Sequence, residues 1–186
     1  MTQTLSMRRP LLSAKLVHGA VIIEKTKDNK DTAELLVSKN HLGKMNKTRV
    51  TLSLIEALYL VEDEKLVVSD YTNRTLSVPA FMKRALRSDK RFVERYTVFR
   101  DLRNKGYFLI PALKYGADFA VYDKGSLPGH DHSRWLLFVA KEHSTFSWRE
   151  WVAKNRVAHS VKKSIMIGIV DADEDVTYYE SAWIRP

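Results

Sequence analysis

The segment KYGADFAVYDKGSLPGHDHSRWLLFVA (residues 114–140) decides the architecture of the second half of this chain. Two apolar runs, ADFAVY (117–122) and SRWLLFVA (133–140), flank a polar stretch that contains glycine and proline. Apolar runs bounded by such turn-forming residues are typical of neighbouring strands joined by a loop. The segment therefore predicts two strands and a loop over 123–132. If the strands pair, the two ends of the loop meet at one edge of a sheet.

Further apolar runs on both sides of this segment extend the predicted sheet. YFLIPAL (107–113) precedes it, and SIMIGIV (164–170) follows it with the continuous apolar character of a buried strand. The acidic turn DADED (171–175) then leads into a last strand, VTYYESAWI (176–184). Because the strand over 164–170 can pair beside the strands of 114–140, the sequence predicts a central sheet in this half of the chain.

A helix is predicted before the strand over 164–170. Ser147 and Glu150 have the spacing of a capping box, and the helix is expected to run to about Lys163, the last residue of RVAHSVKK. At about 100° per residue, Arg156 and Lys163 share one face of this helix, whereas Lys162 points about 100° away. The two adjacent lysines therefore have different tasks. The alternative is that these basic residues only complement the helix macrodipole.

The N-terminal half has the pattern of a small mixed α/β domain. A polar, glycine-containing and strongly basic stretch, NHLGKMNKTR (40–49), is typical of an exposed loop. The other predicted elements are a hairpin over 12–24 that turns at His18 and Gly19, a strand or short helix over 33–39, a helix from about 53 to 62 capped by Ser53 and Glu56, a strand over 66–70, and a helix that begins at Ser77 and Pro79.

A domain boundary is predicted near residues 83–92. The helical stretch that follows opens at Asp89 and ends before Gly106, since glycine suits the left-handed position after a helix. We therefore assign residues 1–85 to the N-terminal domain and residues 86–186 to a C-terminal domain.

The composition restricts the partners and the chemistry of the protein. A net charge of +9 over 186 residues favours polyanions, of which nucleic acid is the commonest, with an anionic membrane or an acidic protein as alternatives. The absence of cysteine excludes disulfides, thiolate metal sites and thiol catalysis, and it fits a cytoplasmic protein. The sequence has no P-loop, GxGxxG or HExxH motif. Residues 1–17 lack the apolar core of a signal peptide, and no apolar run is long enough to span a membrane.

A tyrosine, a histidine and a lysine can meet at one edge of the predicted sheet. Tyr122 ends one strand and His132 precedes the next, although His130 fits the same spacing. Pairing of the strand over 164–170 beside this hairpin would bring Lys163 to the same edge. The structural alternative is that the tyrosine only rims the sheet and the histidine is a solvated loop residue.

These residue types suit the cleavage of RNA without a metal, because the 2′-hydroxyl of RNA is itself the nucleophile. Such a reaction needs a base at the 2′-oxygen, an acid at the 5′-oxygen and a cation beside the phosphorane. Histidine titrates near neutral pH and suits the acid, and lysine supplies the positive charge. Tyrosine, with an ordinary pKa of about 10, is a weak base unless cations lower its pKa, and a nearby lysine would help.

Five motifs follow one another in the second half of the chain: RDLRNKGY (100–107), KYGADFAVY (114–122), HS (132–133), RVAHSVKK (156–163) and IVDADEDVTYY (169–179). Together they resemble the archaeal tRNA-splicing endonucleases. The resemblance covers residues 95–186, whereas the N-terminal half is compatible with the family but much less diagnostic. It implies a C-terminal nuclease domain with a restriction-endonuclease-like fold around a central mixed sheet.

The resemblance implies a role for each candidate residue. By analogy with the family, Tyr122 is the general base. The family's general acid falls on His132 rather than His130. Its lysine falls on Lys163 rather than Lys162 and stabilises the charge of the transition state. The substrate would be precursor tRNA, cut at a bulge–helix–bulge or related motif into 2′,3′-cyclic phosphate and 5′-hydroxyl ends, with no metal or cofactor.

The resemblance also implies an RNA contact and a subunit contact. Arg156 falls on an arginine that clamps a displaced bulge base, and guanidinium stacking suits a splayed base of single-stranded RNA. The aromatic partner in this clamp could be Trp183, Tyr178 or Tyr179. In the family the acidic turn inserts into a basic groove of a partner subunit, although a plain β-turn is the alternative. The candidate interface residues are Asp171, Asp173, Glu174 and Asp175.

The basic loop over 40–49 resembles an insertion of the heterotetrameric, crenarchaeal-type branch of the family. Its Lys44 and Lys47 are expected to contact the substrate backbone, a solvated loop being the alternative. The loop favours an α2β2 assembly with a second, homologous structural subunit, with a homotetramer as the alternative. Two rival functions are a non-catalytic subunit of the same complex and a generic RNA-binding protein. The intact set of catalytic candidates argues against the first.

Overall fold

The computed structural model describes residues 12–184, so the expectations for the first 11 residues and for Arg185 and Pro186 lie outside the described part of the chain. The chain divides between Lys90 and Arg91 into two compact units. Each unit contains a five-stranded sheet with both parallel and antiparallel pairs, which confirms the predicted mixed α/β class. Within residues 12–184, the structure has no helix with the length and apolar character of a membrane span.

The N-terminal unit has a sheet of strand order β3-β4-β2-β1-β5, in which only β1 and β5 run parallel. The predicted hairpin is present, and His18 and Gly19 form its turn with φ of 45° and 82°, as a tight two-residue turn requires. The segment 33–39, predicted as a strand or short helix, forms the end of a helix that runs to Ser38. The elements are β1 (Leu12–Val17), β2 (Ala20–Glu24), α1 (Lys30–Ser38), β3 (Lys44–Met45), β4 (Arg49–Ser53), α2 (Leu54–Glu62), β5 (Leu66–Ser69) and α3 (Val78–Ser88).

The basic segment 40–49 is not wholly a loop, because Lys44 and Met45 pair with β4 as an edge strand. Gly43 allows this pairing. Its φ is 76°, and a Cβ at this position would lie 2.7 Å from the Leu52 side chain. The Gly43 N–H also donates to Glu56 Oε1 at 2.8 Å. This hydrogen bond to α2 therefore fixes Gly43, which directly precedes the edge strand.

Glu56 is a buried carboxylate that holds two elements of this unit together. It is only 8% exposed, and its Oε2 accepts hydrogen bonds from the backbone and the hydroxyl of Ser53, at 2.8 and 2.7 Å. These contacts form the predicted capping box of α2. One side chain therefore caps the helix and anchors the basic segment through Gly43.

The C-terminal unit has a sheet of strand order β10-β9-β8-β7-β6, in which β8 and β9 run parallel and the other pairs are antiparallel. The strand over 164–170 thus pairs beside the hairpin, as predicted. Several predicted bounds in this unit are wrong: α4 begins at Phe92 rather than Asp89, β6 ends at Pro111 rather than residue 113, and β10 ends at Ser181 rather than residue 184. The elements are α4 (Phe92–Asn104), β6 (Phe108–Pro111), a short 3₁₀ turn (Leu113–Tyr115), β7 (Phe119–Tyr122), β8 (Trp135–Lys141), α5 (Trp148–Ser160), β9 (Ser164–Val170) and β10 (Val176–Ser181).

Helix α5 packs on one face of this sheet through small residues. Ala158 of α5 is 2% exposed and lies in one cluster with Leu136 of β8 and Ile165 of β9. Ala112 and Ala117, on either side of the 3₁₀ turn, belong to the same cluster. Because alanine side chains are short, the helix and the turn approach the sheet closely, and the C-terminal end of α5 is held beside the 3₁₀ turn.

A largely buried carboxylate joins α4 to the sheet. Asp118 accepts the Val139 N–H at 2.8 Å and forms ion pairs with Arg91 and Arg95 at 3.1 Å each. A buried charge that has lost its partners is strongly destabilising, so these contacts hold α4 in register with β7 and β8.

The two capping boxes allow a matched test of the role of Glu56. Glu56→Ala leaves the part-buried Gly43 N–H without its acceptor and is expected to lower the free energy of unfolding by about 1–3 kcal/mol. The matched change Glu150→Ala removes an exposed capping box from α5 and should cost about 0.5–1 kcal/mol. Chemical denaturation measures both values, and hydrogen exchange should show protection of the Gly43 amide lost only in Glu56→Ala. Equal destabilisation with Gly43 still protected would contradict this role.

Candidate active site

Three strand ends meet at one edge of the C-terminal sheet. Val121 lies opposite Trp135 in the antiparallel pair, and Trp135 lies opposite Ser164 in the parallel pair. Tyr122 is the last residue of β7, and Lys163 directly precedes β9. The segments that carry the predicted tyrosine, histidine and lysine therefore lie side by side.

Lys163 is fixed at this edge by a backbone carbonyl. Its Nζ donates to the carbonyl oxygen of Ser133 at 2.6 Å, and Ser133 is itself only 7% exposed. Burial lowers the pKa of Lys163, and the Lys114 ammonium adds to this effect while Tyr115 opposes it. Because Ser133 directly follows His132, the ammonium is held one residue away from the predicted acid. Two of its N–H donors remain for a ligand.

The local structure around Lys163 differs from the predicted helix. Helix α5 ends at Ser160, and Lys162 has a φ of 55°. The Lys163 N–H donates to Ala158 O at 2.9 Å and the Lys162 N–H to His159 O at 3.0 Å, which is a Schellman motif. The prediction that the helix extends to Lys163 is therefore wrong, and so is the shared helical face with Arg156. Lys162 itself adopts the left-handed conformation, so the two lysines are not related by a rotation along a helix.

Tyr122 is a buried phenol at the end of β7. It is 7% exposed, and burial raises its pKa above the ordinary value, while the positive charge of Lys114 opposes this shift. The net direction is opposite to the lowered pKa that catalysis by a tyrosinate favours. The lysine that opposes the shift is Lys114, which the sequence pattern did not single out. The phenol is therefore neutral near pH 7 in the free protein.

The loop over 123–132 is ordered by its own acidic side chains. Asp131 Oδ2 accepts the Leu127 N–H at 2.7 Å, and the His130 N–H donates to Leu127 O at 3.2 Å. His130 thus belongs to a closed turn, and His132 follows this turn on the way into β8. Both imidazoles are exposed. The contact between the Lys163 ammonium and the residue after His132 is the observation that favours His132 as the acid.

A groove of about 650 Å³ opens beside Lys163. Its lining includes Arg134, His159 and Trp183, and the rings of His159 and Trp183 lie 4.3 Å apart, edge to face. Arg134 is paired with Asp123 at 3.0 Å. The groove therefore joins a cation, an imidazole and an indole beside the predicted catalytic lysine.

The structure separates the three aromatic candidates for the base clamp. The Tyr178 hydroxyl donates to Asp101 at 2.7 Å. Burial is the larger cause of the raised pKa of Tyr178, and this hydrogen bond is the second. Tyr179 is exposed on β10, whereas Trp183 lines the groove with Lys163. Arg156 lies on the exposed face of α5, outside the lining of this groove. Trp183 is therefore the aromatic candidate that shares the groove with the lysine.

The acidic turn between β9 and β10 has a defined shape. Asp171 Oδ1 accepts the N–H groups of Asp173 and Asp175 at 3.0 and 2.9 Å, and Glu174 has a φ of 64°. Asp171 shapes the turn, and the side chains of the other three acids are exposed. Lys44 and Lys47 of the basic segment are likewise exposed in the N-terminal unit.

Three residues of this site were not predicted from the sequence. Ser133 acts through a backbone carbonyl, which no residue pattern reveals. Arg134 lies within the HSRW stretch, and Lys114 lies within the KYGADFAVY motif. The sequence pattern gave no reason to select either residue. The signal that finds Arg134 is the pairing of the strand ends, which places it in the groove beside Lys163. Lys114 is linked to the site only by its charge, which opposes the raised pKa of Tyr122.

Two family models match the chain along most of its length. The model of the tRNA intron endonuclease N-terminal domain matches residues 12–82, and that of the tRNA intron endonuclease catalytic C-terminal domain matches residues 92–178. The chain therefore belongs to the tRNA intron endonuclease family, as the sequence motifs predicted.

Individual relatives agree with this assignment. The tRNA-splicing endonuclease of Thermococcus gammatolerans is 41% identical over 150 residues, which cover 81% of this chain and 87% of the relative. That of Methanothermobacter thermautotrophicus is 40% identical over 154 residues, covering 83% and 89%. That of Nanoarchaeum equitans is 41% identical over 141 residues, covering 73% and 90%. The enzyme class is thus confirmed, and the roles of individual residues stay predictions.

Proposed function

We propose that this chain is a catalytic subunit of a tRNA-splicing endonuclease that excises introns from precursor tRNA at bulge–helix–bulge motifs. The observation that carries the proposal is the half-buried Lys163 ammonium, held by Ser133 at the edge where Tyr122 and His132 also lie. The family assignment and the names of the relatives support the substrate. The net charge of +9 suits a polyanion.

The proposed reaction is an attack by the substrate's own 2′-hydroxyl. Tyr122, once ionised, takes the proton of this hydroxyl, and the 2′-oxygen forms a bond to phosphorus. The bond from phosphorus to the 5′-oxygen breaks, and His132 donates a proton to that oxygen. Lys163 places its free N–H donors on the phosphorane oxygens. The products are a 2′,3′-cyclic phosphate and a 5′-hydroxyl, and every step uses groups of this chain or of the RNA.

The proposal also assigns the RNA contacts. Arg156 and Trp183 would hold a displaced bulge base, since a guanidinium and an indole both stack on bases. Lys44 and Lys47 would contact the phosphate backbone. Support comes from the exposure of Arg156 and both lysines, and from the position of Trp183 in the groove beside Lys163.

Assembly is the last part of the proposal. We infer an α2β2 complex with a homologous structural subunit, with the acidic turn as part of the contact. Support comes from the exposed Asp173, Glu174 and Asp175, which Asp171 presents on a shaped turn in an otherwise basic chain. A turn of this kind complements a basic groove on a partner.

The catalytic assignment is tested by cleavage of precursor tRNA in EDTA by the assembled enzyme. Cutting is expected to persist in EDTA, to be abolished in His132→Ala, and to fall by about 10²-fold or more in Lys163→Ala. Because Tyr122 must ionise, the wild-type rate should rise with pH from the neutral side, and Tyr122→Phe should remove this dependence along with most activity.

Lys162→Gly is the matched control for Lys163→Ala. It removes a neighbouring positive charge from the rim of the groove, and glycine adopts the positive φ without strain. Its kcat should equal that of the wild type. Dependence on a divalent metal would refute the mechanism. Undiminished activity of His132→Ala and Lys163→Ala would leave an RNA-binding protein or a non-catalytic subunit as the better interpretation.

The RNA contacts are tested by binding of a substrate with a 2′-deoxy group at the cleavage site, with and without the bulge base. Arg156→Lys keeps the charge but loses the stacking plane, so it should bind the complete RNA more weakly than the wild type does. The affinity of this variant should not change further when the bulge base is removed. Lys44→Ala should weaken binding equally for both RNAs and reduce the salt dependence. Equal sensitivity of Arg156→Lys and the wild type to the missing base would reject the clamp.

Assembly is tested by sedimentation and cleavage of the purified chain. Alone, the chain is expected to be smaller than a tetramer and inactive, and addition of a homologous second subunit should give an active tetramer. The triple variant Asp173→Asn, Glu174→Gln and Asp175→Asn should lower the tetramer fraction, while Glu64→Gln, which alters an exposed acid of the N-terminal unit, should not. A chain that is tetrameric and active alone would establish the homotetramer.

A further inference from the structure

Arg134 lies on the middle of the three strands whose ends form the candidate site. Tyr122, Arg134 and Lys163 are each one residue outside the outermost row of paired residues that β7, β8 and β9 share. The Arg134 N–H donates to Val121 O at 2.9 Å, and Arg134 O accepts the Ser164 N–H at 3.1 Å. The backbone of Arg134 is therefore bonded to the residue that precedes Tyr122 and to the residue that follows Lys163.

The Arg134 guanidinium contacts two carboxylates and an indole. Its Nη1 donates to Asp123 Oδ2 at 3.0 Å, and its Nη2 lies 3.6 Å from Glu180 Oε2. Its Cζ lies 4.4 Å from the centroid of the Trp135 ring, which is itself buried and packs edge to face on Tyr107. A planar guanidinium can stack on an aromatic ring while its edge donates hydrogen bonds. The Trp135 ring therefore fixes the plane of the guanidinium that binds Asp123.

The bond to Asp123 closes the loop that separates the predicted base from the predicted acid. Asp123 directly follows Tyr122, and Arg134 lies two residues after His132, so this ion pair joins the two ends of the loop over 123–132. The hydrogen bonds that Leu127 makes within the loop are local to it. Arg134 adds a contact that holds the start of the loop beside its end, where His132 lies.

The two carboxylates also indicate what kind of role Arg134 has. Arg134 lines the groove with Lys163, but Asp123 and Glu180 offset its charge. The bond from Arg134 is the largest cause that lowers the pKa of Asp123, so this carboxylate is ionised near neutral pH. An RNA phosphate would have to displace a carboxylate in order to bind the guanidinium, whereas the Lys163 ammonium donates to a neutral carbonyl. These contacts favour a role through Asp123 over a direct contact with RNA.

We propose that Arg134 is a positioning residue for the splicing reaction, which acts through Asp123 to fix Tyr122 and His132 at the two ends of their loop. This inference rests on the proposed function. The base and the acid must reach the 2′-oxygen and the 5′-oxygen of one phosphate, so their separation must be defined, and a misplacement of about 1 Å can lower a rate by about 10²-fold. Because the ion pair is half exposed, it contributes little to stability, and its effect is on geometry.

The test combines single-turnover cleavage of precursor tRNA by the assembled enzyme with binding of RNA that carries a 2′-deoxy group at the cleavage site. Arg134→Met is expected to lower the saturating rate by about tenfold or more, while the affinity for the deoxy RNA and its salt dependence keep their wild-type values. Asp123→Ala should lower the rate to a similar extent. In the Asp123→Ala background, Arg134→Met should cause no further loss, since both changes remove the same contact.

A direct contact between Arg134 and an RNA phosphate predicts a different outcome. Arg134→Met would then weaken binding of the deoxy RNA, reduce the salt dependence of binding, and lower the rate by the same factor with and without Asp123. That outcome would overturn the positioning role. The denaturation midpoint of Arg134→Met should stay close to that of the wild type. Should Arg134→Met not fold, Asp123→Ala tests the same role, because a wild-type rate in that variant would exclude it.

Lys65→Met is the matched control, because Lys65 forms an ion pair with Asp63 at 2.7 Å that is about as exposed as the pair of Arg134 with Asp123. It removes the same charge and should keep the wild-type rate and affinity. A wild-type rate in Arg134→Met, with Lys163→Ala still impaired, would overturn the role of Arg134 and leave the proposed function intact. Failure of the wild-type enzyme to cut precursor tRNA would overturn the proposed function itself.

Discussion

The parallel pairing of β8 with β9 is the constraint on which the candidate site depends. Parallel neighbours start at the same edge of a sheet, and their connection must cross back over its face, here by way of α5. That crossover returns the chain to the edge where β8 begins. The Lys163 ammonium and the Ser133 carbonyl then meet at 2.6 Å, although the two residues lie 30 positions apart. An antiparallel arrangement of the same strands would place Lys163 at the opposite edge.

The two strands of this pairing are continuous apolar runs, and this explains why the sequence predicted them. β8 is buried from Trp135 to Ala140, and β9 is apolar after Ser164, so both strands were evident as apolar runs. Capping boxes at Ser53 and Ser147 marked the starts of α2 and α5. These features are local, since each is encoded within a few residues of the element that it defines.

The features that the sequence did not predict depend on distant contacts or on an unusual residue type. Helix α5 ends in a Schellman motif with Lys162 at the left-handed position, where glycine is the common signal. The edge strand β3 depends on a hydrogen bond from Gly43 to Glu56, a residue of the next helix. The carbonyl of Ser133 meets Lys163 only because β8 and β9 pair in parallel. Local sequence patterns reveal none of these three.

In the free protein, burial shifts the pKa values of Tyr122 and Lys163 away from the charge states that the proposed reaction needs. Burial raises the pKa of Tyr122 and lowers that of Lys163, so burial favours a neutral phenol and a neutral amine. A bound phosphate favours the protonated form of Lys163 but makes ionisation of Tyr122 harder still. The phenol therefore needs a positive charge that does not depend on the phosphate and is not itself buried.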